Sequence, residues 1–199
     1  RLEAPIVVHV MTPKLFENTN SVCLAQGLSF QPGLRVETNC QNCGFQQVRI
    51  NGLDGPYTQL LLDGKALFSS LNGVYGIEQI PTGMIERVEV MRGGGSALYG
   101  ANAIGGTVNI ITKEPLNNLF MISHNLTAIG NSAYDNTTSL NTSLVNSQRD
   151  AGIYLFGTSR HRQHYDHDGD HFSEIGKLKL TTLGFRSFYK PTSQTKLTL

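Results

Sequence analysis

Residues 88–112 read VEVMRGGGSALYGANAIGGTVNIIT: a short apolar strand, three consecutive glycines, a small-residue stretch, a glycine pair and a second strand. Glycine-rich turns after a strand often cradle phosphate on backbone N–H groups. The spacing here fails that test. A GxGxxG turn needs a third glycine at position 98, where the chain has Leu98, and GxxxxGK fails because Gly100 is followed by Ala101. Glycine and alanine also permit close backbone approach and turns with positive φ. The stretch therefore reads as a turn of small residues between two strands, not as a nucleotide loop.

The rest of the composition agrees with strands and turns. The chain has 199 residues, a net charge of +1, only 16% charged residues, no Trp and 21 glycines. Asn, Thr and Ser are plentiful, a mix that favours strands and turns over helices. Nothing in the net charge would recruit nucleic acid, so no nucleic-acid partner is expected. No apolar run approaches the length of a transmembrane helix. A transmembrane strand needs only about ten alternating residues and stays open. The opening RLEAPIVVHV already reads as a strand without a signal peptide, as expected of a processed or trimmed product.

Outward from the glycine stretch, the chain changes character near Pro115. Residues 1–115 read as a compact α+β unit. Its strands are APIVVHVM, LRVET, QQVRING, the apolar TQLLLDG, IERVEVM and GTVNIIT, with one short helix over NTNSVCLAQGLSF stopped by QPG. Residues 116–199 alternate instead. NLFMISHNLTA places Phe120, Ile122, Leu126 and Ala128 on one face against Ser123, Asn125 and Thr127. TSLNTSLVN carries Leu140 and Leu144 opposite polar positions, AGIYLFGTSR is more apolar, and IGKLKLTTLGFRSF alternates through Leu178, Leu180 and Thr182. SQRD and KPTSQT are short connections, whereas GNSAYDN and HRQHYDHDGDHFSE are longer or more polar. Such a pattern fits antiparallel strands of an outer-membrane barrel wall. A half-buried soluble sheet has the same period.

Three segments carry a resemblance. In order and spacing, LSFQPGLRVE (28–37), VRINGLDGPYTQLLLDG (48–64) and IPTGMIERVEVMRGGGSALYGANAIGGTVNIITK (80–113) resemble the plug domain of TonB-dependent outer-membrane receptors. VRING departs from the family's IRG by moving the glycine one place later, to Gly52, and NCQNCGF resembles a variant found among Bacteroidetes receptors. The resemblance implies a plug inside a 22-stranded barrel, of which residues 116–199 would be the first strands. It also implies an address in the outer membrane and contact with its lipid. The implied activity is non-enzymatic: active import of a small-molecule metal chelate such as haem, cobalamin or a ferric siderophore. The energy would come from the TonB–ExbB–ExbD complex, and a surface lipoprotein is a further implied partner. No TonB box is evident in the chain. An adhesin or signalling receptor using the same plug is the alternative.

Several residues stand out as candidates. Cys40 and Cys43 could be half a zinc site, a redox pair or a small disulfide, and polar loop neighbours favour the disulfide in an oxidising compartment. Cys23 reads as a buried apolar residue. Ligand contact is expected from the Cys40–Cys43 loop, from Tyr57, and from Leu67, Phe68, Ser69 and Tyr75, whose apolar bodies and hydroxyls suit a flat amphipathic ligand. Glu86, Glu89 and Arg92, with Arg49 as a further partner, are candidate ion pairs between plug and wall. Residues 161–174 are expected to be extracellular. They carry His161, His164, His167 and His171 beside Asp166, Asp168, Asp170 and Glu174. The carboxylates fall at positions 1, 3, 5 and 9 of a calcium-type loop, although His171 replaces the glycine of an EF-hand. The histidines could instead capture haem iron or a divalent metal, and a solvated loop is the third reading. No nucleophile–base set accompanies the glycines, and a metallohydrolase built on the His/Asp loop ranks last.

Overall fold

The structure is a computed structural model describing residues 8–40, 45–67, 76–93 and 96–199. The chain divides into two units, Arg1–Thr112 and Lys113–Leu199. The division falls just before the Pro115 boundary read from composition.

The first unit is built on a mixed five-stranded sheet in the order β1-β6-β7-β4-β5. Its strands are β1 (Val8–Met11), β4 (Thr58–Leu62), β5 (Lys65–Ala66), β6 (Ile85–Arg92) and β7 (Gly106–Thr112). A separate hairpin pairs β2 (Leu34–Cys40) with β3 (Phe45–Ile50). The expected apolar strands supply the core: Ile50, Leu61, Ile85, Val88, Val90, Val108 and Ile110 are fully buried, together with Leu24, Leu28 and Ile77. Burial of such side chains stabilises by roughly 1.5–3 kcal/mol each before the entropy of ordering them is counted.

One helix was expected over residues 18–30; the structure has two short ones, α1 (Pro13–Asn18) and α2 (Leu24–Leu28). Pro13 opens α1 at a position where its missing N–H costs nothing. Asn20, at φ +50°, turns the chain before α2. The helices meet where Phe16 is buried against Gly27; a Cβ on Gly27 would lie 2.0 Å from the Phe16 ring. Cys23 is buried at the start of α2, as expected.

The glycine stretch has a structural role. β6 leads through it into a short helix, α3 (Ser96–Tyr99), and then into β7, which pairs antiparallel with β6 and parallel with β4. Gly106 has φ +140°, and a Cβ there would meet the Met91 carbonyl oxygen at 2.2 Å. Only glycine fits at that crossing of strands.

The second unit is an antiparallel meander in the order β12-β11-β10-β9-β8. Its strands are β8 (Leu119–Ile129), β9 (Ala133–Val145), β10 (Ala151–Arg162), β11 (Leu178–Thr192) and β12 (Thr195–Thr198). The connection expected to be long at GNSAYDN is a tight turn over residues 130–132, with Gly130 at φ +55°. The 146–150 turn is closed by the Asn146 side chain, whose Oδ1 accepts the N–H groups of Asp150 and Ala151.

The faces of this sheet are inverted relative to a soluble protein. Asp135, Thr137, Asn141, Ser143, Thr158 and Arg160 are buried, while Leu140, Leu144, Leu183 and Phe185 are exposed, Leu183 by 84%. A soluble half-buried sheet would hide its apolar face, so that reading is overturned. Pairing registers align Ile122, Leu140, Gly157 and Leu183 in one exposed row and Phe120, Thr142, Leu155 and Phe185 in the next. Leu178, Leu180 and Thr182, through which the alternation of β11 was traced, lie on the opposite, half-buried face with Arg186. The exposed apolar positions of β11 are instead Leu183, Phe185 and Tyr189.

The polar face is internally bonded. Arg160 donates from Nε and Nη2 to the Asp135 carboxylate, the Nη2 bond being 2.6 Å. Tyr154 donates to Asn141 Oδ1 at 3.2 Å, and the Ser139 and Thr158 hydroxyls meet at 3.1 Å. Asp135→Ala should cost about 3–5 kcal/mol because it leaves a buried guanidinium without its carboxylate. The double change Asp135→Leu with Arg160→Met should cost less than either single change. Denaturant titration of the refolded full-length protein, followed by heat-modifiable gel migration, checks that ordering.

Candidate functional site

Two surfaces concentrate the sequence-predicted residues. In the first unit, Tyr57 ends a 3₁₀ turn (Gly55–Tyr57) and is 46% exposed. Its carbonyl accepts the Gly105 N–H at 2.8 Å, tying that turn to the segment entering β7. A Cβ on Gly105 would meet the Tyr57 carbonyl oxygen at 2.9 Å and the Leu53 side chain at 3.5 Å. Leu53, Leu98, Tyr99 and Ile104 are exposed on these segments and join Tyr57 as apolar candidates that sequence reasoning missed. Leu67 is half-buried, and its N–H bonds to the Leu60 carbonyl beside β4. Phe68, Ser69, Tyr75 and Cys43 lie outside the described residues, as does the Cys40 side chain, so the expected disulfide does too.

Of the four charges expected to pair plug with wall, Arg49, Glu89 and Arg92 have partners within the first unit. Arg49 reaches Glu37 at 2.8 Å and Asp54 at 2.7 Å. Arg35 stands directly opposite Arg49 in the hairpin, and Glu37 offsets that like-charge pair by also bonding Arg35 at 3.0 Å. Glu89 accepts from Arg87 at 2.7 Å and from the Asn109 amide at 3.2 Å. Arg92 donates to the Pro32 carbonyl and lies flat over Gly33, where a Cβ would be 2.9 Å from the guanidinium carbon. Glu86 is exposed on β6.

In the second unit, backbone bonds between Tyr165 and Ile175, at 2.9 and 3.2 Å, close the neck of the 163–177 loop. Asp166, Asp168, Asp170 and Glu174 each bring one oxygen within 4.8 Å of the others. The carboxylates also organise the loop: Asp166 accepts the N–H groups of Gly169 and His171, Asp170 that of Phe172, and Glu174 that of His167. Hard oxygens so grouped suit a divalent cation of the calcium type. The histidines are not gathered with them. His161 and His164 line a separate cleft with Ser132, Gln163, Asp166 and Lys177, and His167 stacks obliquely near Tyr165. Among the described residues the carboxylates are the group that converges; the four imidazoles do not.

A small mixed-sheet domain with a glycine-locked strand crossing, followed by a meander that buries polar and exposes apolar side chains, defines a plug domain leading into a membrane β-wall. The TonB-dependent Receptor Plug Domain family matches residues 1–107, and the chain belongs to that family. The chain is 36% identical over 105 residues to the vitamin B12 transporter BtuB of Vibrio vulnificus, covering 53% of this chain and 17% of the relative. A BtuB of Vibrio cholerae is 30% identical over 106 residues, with the same coverage. The chain thus spans about a sixth of the length of these relatives. Its fold superposes on the siderophore receptor PirA of Acinetobacter baumannii with a TM-score of 0.77 at 24% identity, covering 96% of this chain and 30% of that one. For the ferric enterobactin receptor PfeA of Pseudomonas aeruginosa the TM-score is 0.77 at 22% identity, covering 98% and 32%. The fold is therefore that of plug plus first wall strands, and the family is one of receptors and transporters, not enzymes.

His171 occupies the position of the EF-hand glycine and adopts φ +74° despite its side chain. His171→Gly should relieve roughly 1 kcal/mol of left-handed strain. Slower amide hydrogen exchange at Gly169 and Phe172 in the variant than in the parent would show it; faster exchange would refute it.

Proposed function

We propose that this chain is part of an outer-membrane receptor that imports a scarce metal chelate, driven by the TonB–ExbB–ExbD complex. The observation that carries the reading is the sequence of a family plug and, directly after it, a sheet whose exposed face is apolar and whose buried face is polar. The chelate class, cobalamin, haem or a ferric siderophore, draws support from relatives named as vitamin B12 transporters and from neighbours named as siderophore receptors. The 163–177 loop then faces the cell exterior and the short 146–150 turn the periplasm, following the usual division of loop lengths. Tyr57 and Leu67, with Phe68, Ser69, Tyr75 and the Cys40–Cys43 loop, form the plug's share of ligand contact. For pairing between plug and wall the charge to test first is Glu86, exposed on β6, because Arg49, Glu89 and Arg92 already have partners within the first unit.

A strain lacking the full-length protein should fail to grow on one of these chelates as sole source. It should recover when the gene is restored, and the recovery should vanish when the energy-transducing complex is deleted. Undiminished growth on every chelate would sink the import reading.

For the 166–174 loop the proposal is a calcium ion held by Asp166, Asp168, Asp170 and Glu174, ordering the loop. Calorimetric titration of the full-length protein with calcium chloride should give a saturable heat that a chelator reverses and that Asp168→Asn with Asp170→Asn removes. A titration without heat would overturn it.

A further inference from the structure

The exposed face of the second unit divides into zones along its strands. Reading the registers across β8–β11, the ionisable side chains on that face are His124, Tyr134, His161, Lys179 and Tyr189; no Asp or Glu occurs there. Asp135, Arg160 and Arg186 belong to the opposite face. The apolar rows built on Leu140, Leu155, Leu183 and Phe185 occupy the middle. Tyr189 marks one end of this zone, and Tyr134, one row past His161 and Lys179, stands beyond the other, both about half exposed. From Ala151, opposite Tyr189, to His161, opposite Lys179, β10 runs roughly 33 Å, or about 23 Å along the membrane normal at a 45° tilt. That height matches a bilayer's apolar band of about 25 Å.

The basic groups are not spread over this face. His161 and Lys179 are register partners, four residues above Gly157 and Leu183 and about 13 Å from them along the strand. Lys177 lies one row further, beside Gln163, and the row between base and apolar band holds the hydroxyls of Thr138, Ser159 and Thr181, with His124 at its β8 end bonded to Thr138. A cleft of about 500 Å³ opens at this level, lined by Ser132, His161, Gln163, His164, Asp166 and Lys177. Asp166 is the acidic member, and its two oxygens are engaged by the N–H groups of Gly169 and His171. Asp168, Asp170 and Glu174 are not among the lining residues.

We propose that this collar of Lys177, Lys179, His161 and His164 binds the phosphate headgroup of an outer-leaflet lipid whose chains lie on the apolar rows below. The proposal rests on reading the sheet as a membrane wall with the 163–177 loop at the outer surface. The occupant follows from two features together: cationic and hydroxyl donors suit a phosphate oxygen, and continuity with an exposed band of Leu, Ile and Phe suits the attached chains. A free anion would use only the first. A lysine near an anionic headgroup contributes about 1 kcal/mol, which is about fivefold in affinity.

The test reconstitutes the full-length protein into phosphatidylcholine nanodiscs doped with phosphatidate or, in a parallel set, diacylglycerol, and reads retained lipid by native mass spectrometry. The parent should retain phosphatidate over diacylglycerol. Lys177→Ala with Lys179→Ala should weaken that retention by about 25-fold, while Lys190→Ala, on the opposite face, leaves it unchanged. Heat-modifiable gel migration confirms that the variants are folded. Equal retention of the two lipids, or retention indifferent to the lysine changes, overturns the proposal while leaving the wall reading intact. Displacement of phosphatidate by millimolar inorganic phosphate shows a free-anion site and also overturns it. Failure of the protein to enter nanodiscs overturns the wall reading itself.

Discussion

A strand inside a bilayer has no water to satisfy its N–H and C=O groups, so every backbone bond must come from a neighbouring strand. Within the second unit β9 and β10 meet that constraint on both sides, and the registers from β8 to β11 run without a bulge from Leu119 to Tyr189, with β8 at the edge of the sheet. Where the backbone is so committed, only the side chains distinguish one face from the other. Leucine and phenylalanine sort to the exposed face, while Asp135, Arg160, Asn141 and Thr158 sort to the buried one. The Asp135–Arg160 pair would be intolerable on the apolar side. It is accommodated because both ions are neutralised in place by several charge-assisted bonds.

How much of this was legible depended on whether the signal was local. The plug's strands were readable because each is a short run of β-branched and leucine residues ended by turn residues, and the glycine stretch was readable because its spacing rules out phosphate loops. The extra helix at Pro13–Asn18 was missed although proline at a first helical position is a local signal; without an apolar stripe of its own, PKLFEN offers little periodicity. The period of β11 was visible but not its facing. Leucines occur on both faces, at Leu178 and Leu180 and again at Leu183, and only pairing with β10 decides between them. A two-residue period fixes alternation; the neighbour fixes direction.

The candidate sites show the same limit. Carboxylates at 166, 168 and 170 converge because the loop between Tyr165 and Ile175 is closed by backbone bonds and turned by positive φ at Gly169 and His171. Alternate spacing signals that geometry. The histidines three and four residues apart had no helix to bring all four together: His161, near the end of β10, and His164 line one cleft, while His167 lies beside Tyr165. On the plug, Leu98, Tyr99 and Ile104 were hidden inside a segment read only for its glycines. Their exposure emerges from the folded turn, where Gly105 closes on Tyr57.

The junction between the units joins these themes. Asp63 holds Thr112 through its N–H at 2.9 Å and its hydroxyl at 2.7 Å, securing the last residue of β7 to the plug's own turn. One residue later, past Lys113, Glu114 bonds Arg186 at 3.3 Å and Lys196 at 2.7 Å, and Pro115 is fully buried against Gly152. A Cβ on Gly152 would lie 2.7 Å from the Phe188 ring and 3.2 Å from Pro115, so a larger residue there would have to displace the ring. Asn118 continues the fastening by accepting the Val145 N–H at 2.6 Å. The covalent passage from plug to wall is thus anchored on each side within a span of three residues.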